Sequence, residues 1–202
     1  MKKTLTMVLA FALVFALGVG GTLAWLTAST GEVKNTFTVG DINITLTETD
    51  AGVGIDTDTT DNANEYHFVP GDKLDKDPKV TVAAGSEKCY VFVKLDVDNN
   101  KIGDVEVLSW TMNSNWTAVK TTDEYVVYKY NSVVDAATAA QELYILNGTE
   151  DQVSVNENVT KEMVKTINAA ATKPTMTFTA YAHQSANTTY EAAEAAAIAH
   201  FA

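Results

Sequence analysis

The chain has 202 residues, with 26 acidic against 14 basic side chains and a formal net charge of −12. A surface of that sign repels phosphate backbones and anionic headgroups, which argues against a nucleic-acid partner. Its single cysteine, Cys89, excludes an intrachain disulfide framework, so stability has to come from a core or from assembly.

Lys2 and Lys3 precede an uncharged run from Leu5 to Leu26. Gly18, Gly20 and Gly21 weaken the helix near the end of that run, and small residues follow at Ala24 and Ala28. The pattern reads as a signal peptide over residues 1–28, cut after Ala24 or Ala28. The run is also just long enough to span a bilayer, so a retained anchor is the competing reading. Cleavage leaves about 175 residues, enough for one domain with a real core, and removes Lys2 and Lys3, taking the charge to −14.

A long strand is predicted over residues 33–48, with one fault. Phe37 and Val39 occupy odd positions, whereas Ile42, Ile44 and Leu46 occupy even ones. Strand side chains alternate faces, so the parity change at Gly40–Asp41 requires a bulge or a break. It divides an N-terminal arm, residues 29–39, from a single domain over residues 40–202. Residues 50–64 are polar, acidic and glycine-bearing, as in a surface loop. The spacing of Asp56, Asp58, Asp61 and Glu65 has something of a calcium loop, but lacks its glycine and its closing glutamate, which makes a solvated loop the better reading.

Pro70–Gly71 marks a turn, and Pro78 opens a strand carrying Val80 and Val82. Gly85–Ser86 turns the chain into a strand over Lys88–Val97. There Cys89 to Val93 is apolar on both parities, as expected of a strand covered on both faces and of the centre of the core. Burial also makes Cys89 an inert thiol. VEVLSWTM, NWTAVK and EYVVYKY give further strands, the last two joined by a tight turn at Thr121–Asp123. Trp110, Trp116, Tyr125, Tyr128 and Tyr130 read as packing between sheets, with a sugar-binding platform as the alternative. AATAAQ reads as a helical turn and ELYILNG as a strand. Residues 158–171 read as a helix with Asn158 as N-cap and Val159, Met163, Val164, Ile167 and Ala170 on one face. In the strand over residues 174–183, Met176, Phe178, Ala180 and Ala182 point one way, and Thr175, Thr177, Thr179 and Tyr181 the other. A C-terminal helix opens with a capping box from Thr188 to Glu191. Its apolar stripe is Tyr190, Ala193, Ala197, Ile198 and Phe201. The fold class is therefore mainly β: a jelly-roll-like β-sandwich with a few short helices, one of them C-terminal.

The sequence carries no HExxH, paired-cysteine or G-x-S-x-G signature and no phosphate-binding glycine loop. His67, His183 and His200 stand far apart in unlike contexts and read as ordinary surface or edge residues. The sequons at Asn43, Asn115, Asn147, Asn158 and Asn187 carry no functional weight in a chain this rich in Asn and Thr. No catalytic residue, metal or cofactor is expected.

Three ordered segments carry a family resemblance. GGTLAWLTASTGEVKNTFTVGDINITLTET resembles the signal-peptide boundary and first strand of the TasA/camelysin family. FVPGDKLDKDPKVTV resembles its proline-glycine-aspartate segment, and PTMTFTAYAHQSAN its last core strand. Residues 100–170 carry no such likeness. The resemblance implies a jelly-roll-type sandwich and processing by a signal peptidase of the SipW type. It also implies secretion to the cell surface or extracellular matrix of a Gram-positive bacterium, with no membrane contact after processing. In the TasA branch it further implies assembly into biofilm matrix fibres, in which the N-terminal arm of one subunit completes the sheet of the next. The matching positions here are Val33, Asn35, Phe37 and Val39, and the partner is a second copy of the chain in a head-to-tail homopolymer. The alternatives are a monomeric surface adhesin or carbohydrate-binding module, and a secreted camelysin-like metallopeptidase, for which no zinc motif is present.

Overall fold

The computed structural model describes residues 40–48, 66, 68–148, 152–170 and 173–202. The leader, the arm with Val33, Asn35, Phe37 and Val39, the whole acidic loop with Asp56, Asp58, Asp61 and Glu65, and His67 lie outside them. From Gly40 the chain forms one compact unit, and it is mainly β.

The strands are β1 (Ile44–Thr47), β2 (Lys73–Leu74), β3 (Lys79–Val82), β4 (Cys89–Asp98), β5 (Lys101–Ile102), β6 (Val105–Glu106), β7 (Leu108–Trp110), β8 (Trp116–Thr121), β9 (Tyr125–Tyr130), β10 (Gln141–Tyr144), β11 (Val153–Val155) and β12 (Thr175–Gln184). Helix α1 spans Lys161–Ala169 and α2 spans Tyr190–His200. One sheet runs β1-β3-β10, a second β12-β4-β9-β8 and a third, smaller one β2-β11-β7, while β5 and β6 form a hairpin. Every pairing is antiparallel.

Side-chain alternation builds the sandwich. Val80, Val82 and Leu143 of the first sheet meet Cys89, Val91 and Val93 of β4, and Ile42, Ile44 and Leu46 close the margin of this cluster. The intervening residues of β4, Tyr90 and Phe92, face the opposite way and lie under Ala193, Ala197 and Phe201 of α2 and its C-cap. This explains the double-parity apolar run: one face of β4 meets a sheet and the other a helix. Full burial of a side chain such as Phe92 stabilises the fold by ~2 kcal/mol. A third cluster, including Val107, Leu108, Val153, Val155 and Ile167, sits beneath the small sheet and α1.

Gly71 (φ +88°) and Gly85 (φ +85°) occupy the left-handed region at the two expected turns, where a side chain would be strained. The Pro70–Gly71 turn is closed by Asp72 N–H donating to Val69 O at 3.1 Å. Val69 N–H in turn donates to Asp72 Oδ2 at 2.8 Å.

Several boundaries differ from expectation, each for a local reason. The N-cap of α1 is Thr160, not Asn158; its hydroxyl accepts from Met163 N–H at 3.3 Å. Asn156 Oδ1 accepts from Asn158 N–H at 2.9 Å, which holds Asn158 in the preceding turn. Likewise Thr189, not Thr188, caps α2, accepting from Ala192 N–H at 3.3 Å. No helical turn forms at 136–140; Ala136 is drawn into the core instead and accepts from Gly85 N–H at 2.8 Å. The stretch expected as one strand over VEVLSWTM is broken at buried Val107, whose N–H donates to Asn100 O at 2.8 Å.

Candidate functional site

Two strands end the main sheets on one side of the sandwich. Among the described residues, no strand pairs with the outer edge of β1 or of β12. Which groups face outward follows from the hydrogen bonds inward. Ser185 N–H donates to Lys88 O at 2.9 Å, and Ser185 continues the register that pairs Gln184 with Cys89. In an antiparallel pair alternate residues exchange both main-chain bonds, so the odd residues of β12 bond to β4. The N–H and C=O of Met176, Phe178, Ala180 and Ala182 therefore point to the open edge. Ala83 N–H donates to Asn43 O at 2.9 Å, which by the same reasoning leaves the main-chain groups of Ile44 and Leu46 outward on β1. At both edges, the residues with core-facing side chains are those whose backbone is paired by no other strand among the described residues.

Between these edges opens an apolar groove of about 630 Å³. Leu46 and Phe178 stand at its sides, with Leu74, Leu108, Val153 and Ile167 among the residues lining it. These six come from β1, β12, the small sheet and α1. Its polar wall is an ion pair in which Lys76 Nζ lies 2.8 Å from Glu48 Oε2, with little of either side chain in contact with water. The Tyr66 hydroxyl lies 2.7 Å from Asp75 O and 3.1 Å from Glu48 Oε1. Burial first, then the charge of Glu48 and the hydrogen bond to it, hold the Tyr66 phenol well above its usual pKa. Lys76 Nζ also stands 5.8 Å from the ring centre of Phe178. Lys76 N–H donates to Gln152 Oε1 at 3.1 Å, while the buried Gln152 Nε2 has no hydrogen-bond partner among the described residues.

The groove and Gly40 are at opposite poles. Thr47 pairs with Lys79, and Thr175 with Asp98, at the groove end. Gly40 lies against the Glu87 side chain at the other end, where Glu87 N–H donates to Asp41 O at 2.9 Å.

The other sequence candidates are scattered. His183 Nδ1 contacts Gln184 O at 2.9 Å, and the His200 ring stacks on Tyr181 with centroids 4.7 Å apart. Among the described residues, no group of three or more His, Cys, Asp and Glu side chains could hold a metal ion. Trp116 is 5% exposed, and its indole N–H donates to Tyr144 O at 2.8 Å. Trp110 packs half-buried against the third core cluster. Cys89 is buried, and burial raises its thiol pKa to about 11. No protein-family model, curated protein or solved structure matches the chain.

The inward faces of the two edge strands follow from the alternation in INITLT and PTMTFTAYAH, whereas their place at the sheet edges is set by the topology. The floor of the groove does not, because its residues lie far apart in sequence and meet only through the packing of the small sheet against α1.

Proposed function

We propose that the chain is a secreted structural protein that assembles head to tail into extracellular fibres, the N-terminal arm of one copy adding as a strand to the sheet edge of the next. The observation that carries this reading is the apolar groove, at the pole opposite Gly40, between two edges that no strand among the described residues pairs. Residues 29–39 are joined to the domain at Gly40, which lies at the other pole from the groove. Eleven extended residues reach about 36 Å, enough to enter a neighbour stacked beyond that pole. Donation of this kind does not close on itself, so it propagates a filament.

The character of β12 supports the same reading. Soluble proteins guard exposed edges with charge, proline or bulges. The edge strand β8 has both Lys120 and a bulge between Ala118 and Lys120. β12 runs for ten residues without one Asp, Glu, Lys or Arg and without a break in its register. Such an edge is suited to accept a strand. The resemblance of the leader, the Pro70–Asp72 turn and β12 to the TasA/camelysin family leads to the same function, and to export through a SipW-type signal peptidase.

Comparing chains that begin at Ser29 and at Gly40 by sedimentation and negative-stain microscopy tests the proposal. The longer chain is expected to form fibres and the shorter to stay monomeric and folded. Fibres from the shorter chain, or a monomer from the longer one with its arm folded onto itself, would overturn it.

A further inference from the structure

The polarity of the strands at the groove decides which edge can take the arm favourably. β1 runs toward the groove pole, ending at Thr47, whereas β12 starts there at Thr175 and runs away from it. An arm donated by a second copy enters with Val39 outside, because that end is joined to the donor's body. Its N-terminal end is then deepest, and its chain direction points out of the pole. Such a strand lies parallel to β1 and antiparallel to β12. Antiparallel pairing is the more stable per residue, and β12 offers a longer edge than the four residues of β1.

We propose that the outer edge of β12 is the receiving edge, and that the arm of a second copy pairs antiparallel to it with odd-numbered arm residues opposite Met176 and Phe178. This rests on the strand-addition reading above and fixes the edge, the direction and the parity of the register. Met176 and Phe178 present outward main-chain groups, so the residues directly opposite exchange both hydrogen bonds with them. Directly opposed residues also share a face. The odd set of the arm, Val33, Asn35, Phe37 and Val39, is therefore turned into the groove. The even set, Lys34, Thr36 and Thr38, is turned to water. That division suits a half-buried strand, apolar inward except at Asn35 and polar outward.

Two measurements on the mature chain test this. Proline removes a main-chain donor, so Asn35→Pro is expected to reduce fibre yield severalfold more than Thr36→Pro. Equal losses from the two would contradict the parity. For the edge, copies carrying one cysteine in the arm (Val33→Cys, Asn35→Cys or Phe37→Cys) are mixed with Met176→Cys copies or with Leu46→Cys copies. Air oxidation and non-reducing electrophoresis then report the contact; Cys89 is buried and stays out of the reaction. Disulfide-linked dimers are expected to be severalfold more abundant with the Met176→Cys copies. Preference for the Leu46→Cys copies would overturn the β12 assignment, and equal linkage by Lys34→Cys and Thr36→Cys arms would overturn the parity, while either leaves strand addition standing. Absence of fibres from the unsubstituted mature chain would remove both.

Discussion

Lys76 Nζ lies 2.8 Å from Glu48 Oε2, and the two side chains are only 13% and 8% exposed. The pair ties the residue after β1 to the segment before β3, and Tyr66 adds a second donor to the same carboxylate. Removing one member of a buried pair leaves an uncompensated charge, at a cost of about 3 kcal/mol. Glu48→Ala is accordingly expected to lose about that much stability in urea unfolding of the arm-less domain. A change below about 0.5 kcal/mol would show the pair to be screened like a surface one.

The fold should also report which threonine caps the C-terminal helix. Thr189→Ala removes the acceptor for Ala192 N–H and is expected to cost about 1 kcal/mol. Thr188→Ala leaves the cap intact and should cost only a few tenths of that figure. A larger loss from Thr188→Ala would place the cap where the S/T-x-x-E pattern suggests, at Thr188.

Trp116 is a core residue whose one polar atom is satisfied by Tyr144 O. Trp116→Phe keeps most of the apolar contact but strips that carbonyl of its indole donor, for an expected loss of about 1 kcal/mol. Thermal unfolding measures it. An unchanged midpoint, with altered binding to a glycan array, would favour the carbohydrate-binding alternative instead.

Cys89 has its thiol pKa raised from 9.0 to about 11 by burial. The folded protein holds this proton more tightly than the unfolded chain, so stability conferred by the protonated thiol is complete below pH 9 and declines as pH rises toward 11. Thiol reagents at pH 8 should label the native chain far more slowly than the urea-unfolded one. Rapid labelling of the native chain would mean that the β4 thiol is reachable from water.

Much of this architecture is legible in the sequence because alternation and local turns determine it. The double-parity run at Cys89–Val93 marks the central strand, and Pro70–Gly71 and Gly85–Ser86 mark turns where glycine is needed. The threonine face of β12 is exposed at Thr175, Thr177 and Thr179 as its pattern requires, but Tyr181 is partly covered by the ring of His200. That cover is a tertiary effect, invisible to a period-two pattern. β11 escapes notice for the same kind of reason: three residues pair with β2 and β7 only because the chain returns there. Caps shift by one or two residues because neighbouring side chains such as Asn156 compete for the same donors. At the candidate site, the inward faces of β1 and β12 can be read from periodicity but their edge positions cannot, and the ion pair of Glu48 and Lys76 joins residues 28 apart in sequence and has no local signature.

Complementation of two half-competent chains tests the central claim most directly. One chain begins at Gly40, so it keeps the groove and lacks the arm. The other begins at Ser29 and carries Met176→Asp, which places a charge in the groove and leaves the arm. Each is checked for native circular dichroism, and the pair is mixed and measured by size exclusion with light scattering. Head-to-tail strand addition predicts that each chain alone is monomeric and that the mixture forms a one-to-one complex that grows no further. Two chains that remain apart when mixed, or fibres from either alone, would contradict it.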